Sequence, residues 1–192
     1  GAALQLVSLV LAAVGSATRV LDLYCGSGLF SLPLAKQGCV VTGVEENRQA
    51  IADAESNVRI NKLPPSRIRF MAARVEDALA RVARDPWDVV ILDPPRQGCS
   101  DDVLSGVFER IHPKRAVYVS CDPPTLARDA KARQVADLHG RHILHAHRDA
   151  VRLRQHRVLD VGRRAHEADA AHDRGLRPDI HRTAADVDVA AG

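Results

Sequence analysis

Apolar residues recur in two rhythms along the first 132 residues. Ala2–Val14 carries Leu4, Val7, Leu11 and Val14 at helical spacing and predicts a helix. Arg19–Leu23 is an apolar run of strand length. A turn at Gly26–Gly28 follows, then a helix over Leu29–Gln37 with Pro33 in its first turn. Val40–Val44 predicts a second strand. Asn47 is placed to cap the next helix, in which Ile51, Ala54 and Val58 recur. Pro64-Pro65 forces a loop before a third strand, Arg67–Met71, and a short helix, Glu76–Ala83. Trp87–Leu92 is the clearest strand, four consecutive apolar residues ending at Asp93. A helix over Asp101–Ile111, a strand over Ala116–Ser120 and a helix opening at Thr125–Lys131 complete the series. Strands alternating with helices predict an α/β fold, a parallel sheet covered on both faces.

Ligands of open parallel sheets bind beyond the carboxyl ends of the strands. Four polar signals fall there. The first strand runs into Asp22-Leu23-Tyr24-Cys25-Gly26-Ser27-Gly28, and the second ends in Glu45. The fourth ends in Asp93-Pro94-Pro95-Arg96 and the fifth in Ser120-Cys121-Asp122-Pro123. A Gly-x-Gly turn alone is an ordinary tight turn. Ser31 stands where a dinucleotide fingerprint places its third glycine, which disfavours a nicotinamide cofactor. Glu45 lies about where an acid accepts from both ribose hydroxyls of a nucleoside. A nucleoside lacking a pyrophosphate is the expected ligand, and S-adenosylmethionine fits that description. Cys121 ends a strand and adjoins a helix start, a setting that favours thiolate. Cys39 and Cys99 lack this combination and read as small buried hydrophobes; Cys25 lies in the Gly turn.

Composition divides the chain near residue 132. The first part holds every aromatic, every cysteine, every lysine and the only Met, whereas residues 133–192 hold eight of the nine histidines among Arg, Ala and Asp. The tail has no bulky aromatic to anchor a core, so it reads as a solvated segment apart from the domain. No cysteine pair has C-x-x-C spacing, so no metal site is expected. Aromatics are only 3%, which argues against a stacking platform for single-stranded RNA, and a net charge of +3 neither requires nor opposes a nucleic-acid partner. The apolar run at Leu4–Val14 is too short to span a bilayer, and no basic residue precedes it. A cytoplasmic protein without a membrane partner is expected.

Residues Leu21–Leu34, Gly43–Asn47, Leu92–Gly98 and Val117–Asp129 together resemble the RNA (uracil-5-)-methyltransferase family, which makes 5-methyluridine in tRNA or 23S rRNA. The stretch Ser-Cys-Asp-Pro-Pro-Thr-Leu-Ala-Arg-Asp (120–129) is its most specific part. The resemblance implies a class I S-adenosylmethionine-dependent methyltransferase fold over residues 1–132, Rossmann-like, with a mostly parallel sheet that lacks its last strands. It implies that Tyr24, the Gly26–Leu29 turn (Gly26, Gly28 and Leu29) and Glu45 contact the cofactor. Asp93 would lie between cofactor and uracil, and Cys121 would be the nucleophile that adds to carbon 6 of a uridine in rRNA or tRNA. Arg74 stands where many members place a polar cofactor contact, and that role is not carried over.

Some family features are missing. No Phe-x-Gln-x-Asn motif or RNA-binding barrel precedes the first helix, and no Asp-x-Phe-Pro-x-Thr-x-His-x-Glu segment follows residue 132. No general base is therefore assigned. A reading-frame change in a GC-rich gene would explain the tail; a genuine tail with its own role is the alternative. Two other functions stay open. One is a methyltransferase for another base, using Asp-Pro-Pro as amino-group acceptor. The other is a catalytically inactive cofactor- or RNA-binding fragment.

Overall fold

The structure, a computed structural model, describes residues 2–132, 142–145 and 154–157, all within one unit of the chain, Gly1–Leu159. The elements in chain order are α1 (Ala2–Val14), β1 (Arg19–Leu23), α2 (Ser31–Lys36), β2 (Val40–Glu45), α3 (Arg48–Ile60), β3 (Ile68–Ala72), α4 (Val75–Val82) and β4 (Val89–Leu92). Then come α5 (Asp101–Ser105), β5 (Arg115–Ser120), α6 (Pro123–Ala132), β6 (His142–His145) and β7 (Arg154–Arg157). Helix α5 widens into a π-helical stretch, Gly106–Ile111, which ends at His112 in the left-handed region (φ 48°).

The strands form one sheet in the order β3-β2-β1-β4-β5-β6-β7. Pairing is parallel through β6, and β7 runs antiparallel to β6. The sequence reading stops at five strands and expects the last ones to be lacking; the sheet carries two further short ones. Of these, β6 pairs the outer edge of β5, whose amides and carbonyls would otherwise lack partners, and β7 pairs β6 in turn. The rest of the 133–192 tail, and with it the reading of that tail as a separate segment, lies outside the described residues.

Alternation along each strand divides the core between two faces. Leu21, Leu23, Val90, Leu92 and Tyr118 point to one face, under α4, α5 and the π-helical stretch. Val20, Val41, Val89, Ile91, Val117 and Val119 point to the other, under α1 and α2. Burial on both faces explains why these strands read as near-continuous apolar runs. Cap chemistry fixes several helix starts. Asn47 accepts from the amides of Gln49 and Ala50, and Ser100 accepts from that of Val103.

Two differences from the sequence reading have physical causes. Helix α1 buries Val10, Ala13 and Val14, while Leu4 is 72% exposed. Val7 and Leu11 pack against the same core as Val14, and Gln5 and Ser8 face solvent, so Leu4 alone departs from the predicted face. Trp87 precedes β4 rather than forming part of it. Its indole N–H donates to the Val82 carbonyl at 2.6 Å, so the ring packs under the end of α4. Among the described residues no helix is long and apolar enough to cross a membrane.

Leu92 is fully buried immediately before Asp93. Leu92→Ala is expected to destabilise the domain by about 2–5 kcal/mol, read as a lower urea midpoint with an unchanged slope.

Candidate functional site

The order of strands reverses between β1 and β4, since β1 leads to β2 on one side and has β4 on the other. Chains leaving β1 and β4 therefore diverge and open a crevice at their carboxyl ends. A cleft of about 760 Å³ lies there. Among the residues that line it are Tyr24, Glu45 and Asp93, three of the residues singled out from the sequence, with Arg74, Glu76, Cys99 and Arg128.

Strand β1 ends at Leu23, and Tyr24 turns the chain with φ 63°. This left-handed turn is uncommon for a residue with a side chain and brings Tyr24 to the cleft wall. Gly26 and Gly28 continue at φ 52° and 91°, a backbone path that favours glycine. A side chain at Gly28 would run into Leu32, whereas nothing stands within 4 Å of a Cβ at Gly26. Leu29 follows and is 46% exposed. Gly26, Gly28 and Leu29 are not among the residues lining the cleft.

Glu45 binds this turn to β2. Its Oε2 accepts from the Gly26 amide at 3.1 Å, and its Oε1 from the Asn47 amide at 2.9 Å. Each carboxylate oxygen keeps a lone pair for another donor.

Asp22 lies beneath the turn, fully buried on the face covered by α2. Its Oδ2 accepts from the Ser31 hydroxyl at 2.5 Å, and its Oδ1 has no hydrogen-bond partner among the described residues. Burial pushes its pKa up to about 7. The Ser31 hydroxyl opposes that rise, and the negative charges of Asp93 and Glu45 add to it.

Cys121 sits at the end of β5, half-buried and outside the cleft lining. Its neighbours hold the turn rigidly. The Ser120 hydroxyl donates to the Asp122 carbonyl at 2.9 Å and accepts from the Asp122 amide at 3.0 Å. Asp122 caps α6, accepting from the amide and hydroxyl of Thr125. Those two bonds hold its carboxyl below the usual range.

Cys99, read from the sequence as a small buried hydrophobe, is buried and also lines the cleft. Burial pushes its thiol up to about 12; the neighbouring Tyr118 and Tyr24 hydroxyls act the other way. It is therefore a protonated thiol at neutral pH, not a nucleophile. Glu46 joins Glu45, Glu76, Asp93 and Asp101 in giving the cleft an acidic wall. Among the described residues no cluster of His, Cys, Asp and Glu is arranged to hold a metal ion.

A sheet whose first five strands run parallel in the order β3-β2-β1-β4-β5, covered on both faces and with its cleft at the strand reversal, is the class I S-adenosylmethionine-dependent methyltransferase fold. The chain belongs to the tRNA (uracil-5-)-methyltransferase family, whose model matches residues 3–145. It is similar to the crystal structure of a Pyrococcus abyssi tRNA (uracil-54, C5)-methyltransferase in complex with S-adenosyl-L-homocysteine. Identity is 37%, the TM-score is 0.60, and the match covers 67% of this chain and 31% of that one. A 23S rRNA (uracil(1939)-C(5))-methyltransferase of Azoarcus sp. is 47% identical over 116 residues, covering 58% of this chain and 26% of the relative. An uncharacterized RNA methyltransferase of Gloeobacter violaceus is 44% identical over 112 residues, covering 58% of this chain and 23% of the relative. The chain thus spans about a quarter of the length of the curated relatives it matches.

The raised pKa of Asp22 has a consequence for stability. Unfolded, this carboxyl loses its proton near its ordinary value of 3.8; folded, it keeps it to about 7. The folded state binds the extra proton between those values, so Asp22 lowers stability progressively as pH rises from about 4 to 7. Asp22→Asn removes this loss. Relative to the parent, the variant is expected to gain on the order of a few kcal/mol between pH 4 and pH 8, measured as the difference in urea midpoints across pH.

Proposed function

We propose that this chain is the catalytic domain, over residues 1–132, of an enzyme that methylates carbon 5 of a uridine in tRNA or 23S rRNA with S-adenosylmethionine. The observation carrying this reading is the acidic cleft at the β1–β4 reversal. It joins Tyr24, Glu45 and Asp93, and the rigid Ser120–Asp122 turn with Cys121 lies at the end of the neighbouring strand.

The residues present fit the cofactor. The spare lone pairs of Glu45 suit the two ribose hydroxyls, and the acidic wall suits a ligand with a sulfonium and an ammonium group. Nothing stands within 4 Å of a Cβ at Gly26, which leaves room for a ligand to approach the turn; Gly28 and Leu29 are cofactor contacts by the family resemblance alone. A volume of about 760 Å³ is of the size expected for such a molecule. When bound, S-adenosylmethionine supplies an electrophilic methyl group.

The chain's own residues then account for activation of the base. Carbon 5 of uracil is a weak nucleophile. Addition of the Cys121 Sγ to carbon 6 breaks the 5,6 double bond and moves its electrons toward the carbonyl at carbon 4, giving an enolate nucleophilic at carbon 5. Asp93 is suited to accept from the uracil N–H and orient the ring. After methylation a base removes the carbon 5 proton, the 5,6 double bond re-forms and the thiolate leaves. The base must be out of its stack for this chemistry, so an RNA loop or a flipped uridine is the expected substrate.

A second reading, a cofactor-binding fragment without transfer activity, is favoured by Cys121 lying outside the cleft lining. Covalent trapping separates the two. RNA transcribed with 5-fluorouracil carries fluorine where the departing proton would be, so elimination is blocked and the adduct accumulates. With methyl-labelled S-adenosylmethionine, the chain is expected to give a labelled protein–RNA band on a denaturing gel, and Cys121→Ala is expected to give none. Cofactor binding in calorimetry without any adduct from the parent chain would favour the second reading.

A further inference from the structure

We propose that Asp129 is a positioning residue that holds the loop leaving β4 and the turn carrying Cys121 as one rigid unit. The idea rests on the reading of Cys121 as nucleophile and goes beyond it. Asp129 belongs to α6 and is only 3% exposed. A carboxylate so buried must have its lone pairs satisfied. Its Oδ2 accepts from the Cys99 amide at 2.9 Å and from the Tyr118 hydroxyl at 2.5 Å. Its Oδ1 accepts from the Arg128 Nε at 2.9 Å and Nη2 at 2.6 Å. All four acceptor positions are filled, and the donors come from three places: the loop after β4, strand β5 and helix α6.

The loop is clamped a second time. Arg128 Nη2 donates to the Gln97 carbonyl at 2.6 Å. Gly98 passes between these contacts at φ 81°, where a Cβ would lie 2.5 Å from Asp129 Oδ2 and 2.6 Å from Arg128 Nη2. Pro95 and Gly98 are joined by a backbone bond of 2.8 Å, so the loop back to Asp93 has little freedom. On the other side, Tyr118 precedes Cys121 by three residues and Asp129 follows it by eight. Both flanks of the nucleophile turn are thus tied to the carboxylate that ties the Asp93 loop. This arrangement fixes the thiol relative to the residue that faces the base. A displacement of about 1 Å between such groups costs on the order of a hundredfold in rate.

The test uses the 192-residue chain and its Asp129→Asn variant. An amide has one acceptor oxygen, so it cannot serve Arg128 together with the Cys99–Tyr118 pair. Three quantities are read: affinity for S-adenosylmethionine by calorimetry, adduct rate with fluorouracil RNA at saturating cofactor and RNA, and hydrogen exchange of the Cys99 amide. Affinity is expected to stay within about threefold, because the Glu45 side of the cleft is untouched. The adduct rate is expected to fall about tenfold or more. Exchange at Cys99 is expected to rise about tenfold or more. A residue that merely stabilises the fold would leave the saturated rate of the folded fraction unchanged. An adduct rate within about threefold of the parent, or unchanged exchange at Cys99, would overturn the proposal. Should Asp129→Asn not fold, Tyr118→Phe removes one of the four bonds and is held to the same criteria. A parent chain that forms no adduct would count against the role of Cys121, while the exchange readout would still decide whether loop and turn move as one.

Discussion

Parallel pairing of β1 with β4, Leu23 opposite Leu92, is the constraint on which the other features depend. Both strands run the same way, so the residues following each of them emerge at one edge of the sheet. With β2 and β5 parallel on the outer sides, Tyr24, Glu45, Asp93 and Cys121 all leave from that edge. Antiparallel pairing at β4 would send Asp93 to the opposite end. The arrangement is held by apolar burial on both faces. Val89 and Ile91 pack under one helical layer, and Val90 and Leu92 under the other. Shifting β4 by one residue would exchange these sets, so register and site geometry are fixed together.

What was legible in the sequence follows from the same constraint. Strands buried on both faces read as near-continuous apolar runs, so β1, β2 and β4 stand out, and the polar residue ending each run is marked as a candidate for the cleft. Tyr24, Glu45 and Asp93 were found in that way. Arg74, Glu76, Cys99 and Arg128 come from loop and helix positions whose approach to the cleft depends on packing between elements distant in sequence. The Cys99 amide reaches Asp129 across thirty residues, and no local spacing encodes that contact. The π-helical stretch after α5 was also hidden. Its apolar positions, Val107, Phe108 and Ile111, suit an ordinary helix equally well. The close contact there is between Gly106 and Leu79, where a Cβ would come within 2.5 Å of Leu79 Cδ1. On α1, Val7, Leu11 and Val14 of the predicted face pack on the core, and only Leu4 at the start of the helix does not.

Two deeply buried acids show that partners, not depth, decide what a carboxyl does. Asp22 and Asp129 are 0% and 3% exposed. Asp129 has all its acceptor positions filled, two of them by a guanidinium, and serves as a rigid junction. Asp22 has one hydroxyl and an orphaned oxygen, and it faces the charges of Asp93 and Glu45. A core selected for stability alone would not keep that arrangement, because replacement by a neutral side chain of the same shape would relieve it. Burial is the main cause of the raised Asp22 pKa, with the charges of Asp93 and Glu45 adding to it. Asp22 lies beneath the turn that Glu45 holds, and the satisfied network joins the loop after β4 to β5 and α6. The Asp129 network is complete without any ligand, whereas Asp22 keeps an acceptor oxygen without a partner among the described residues.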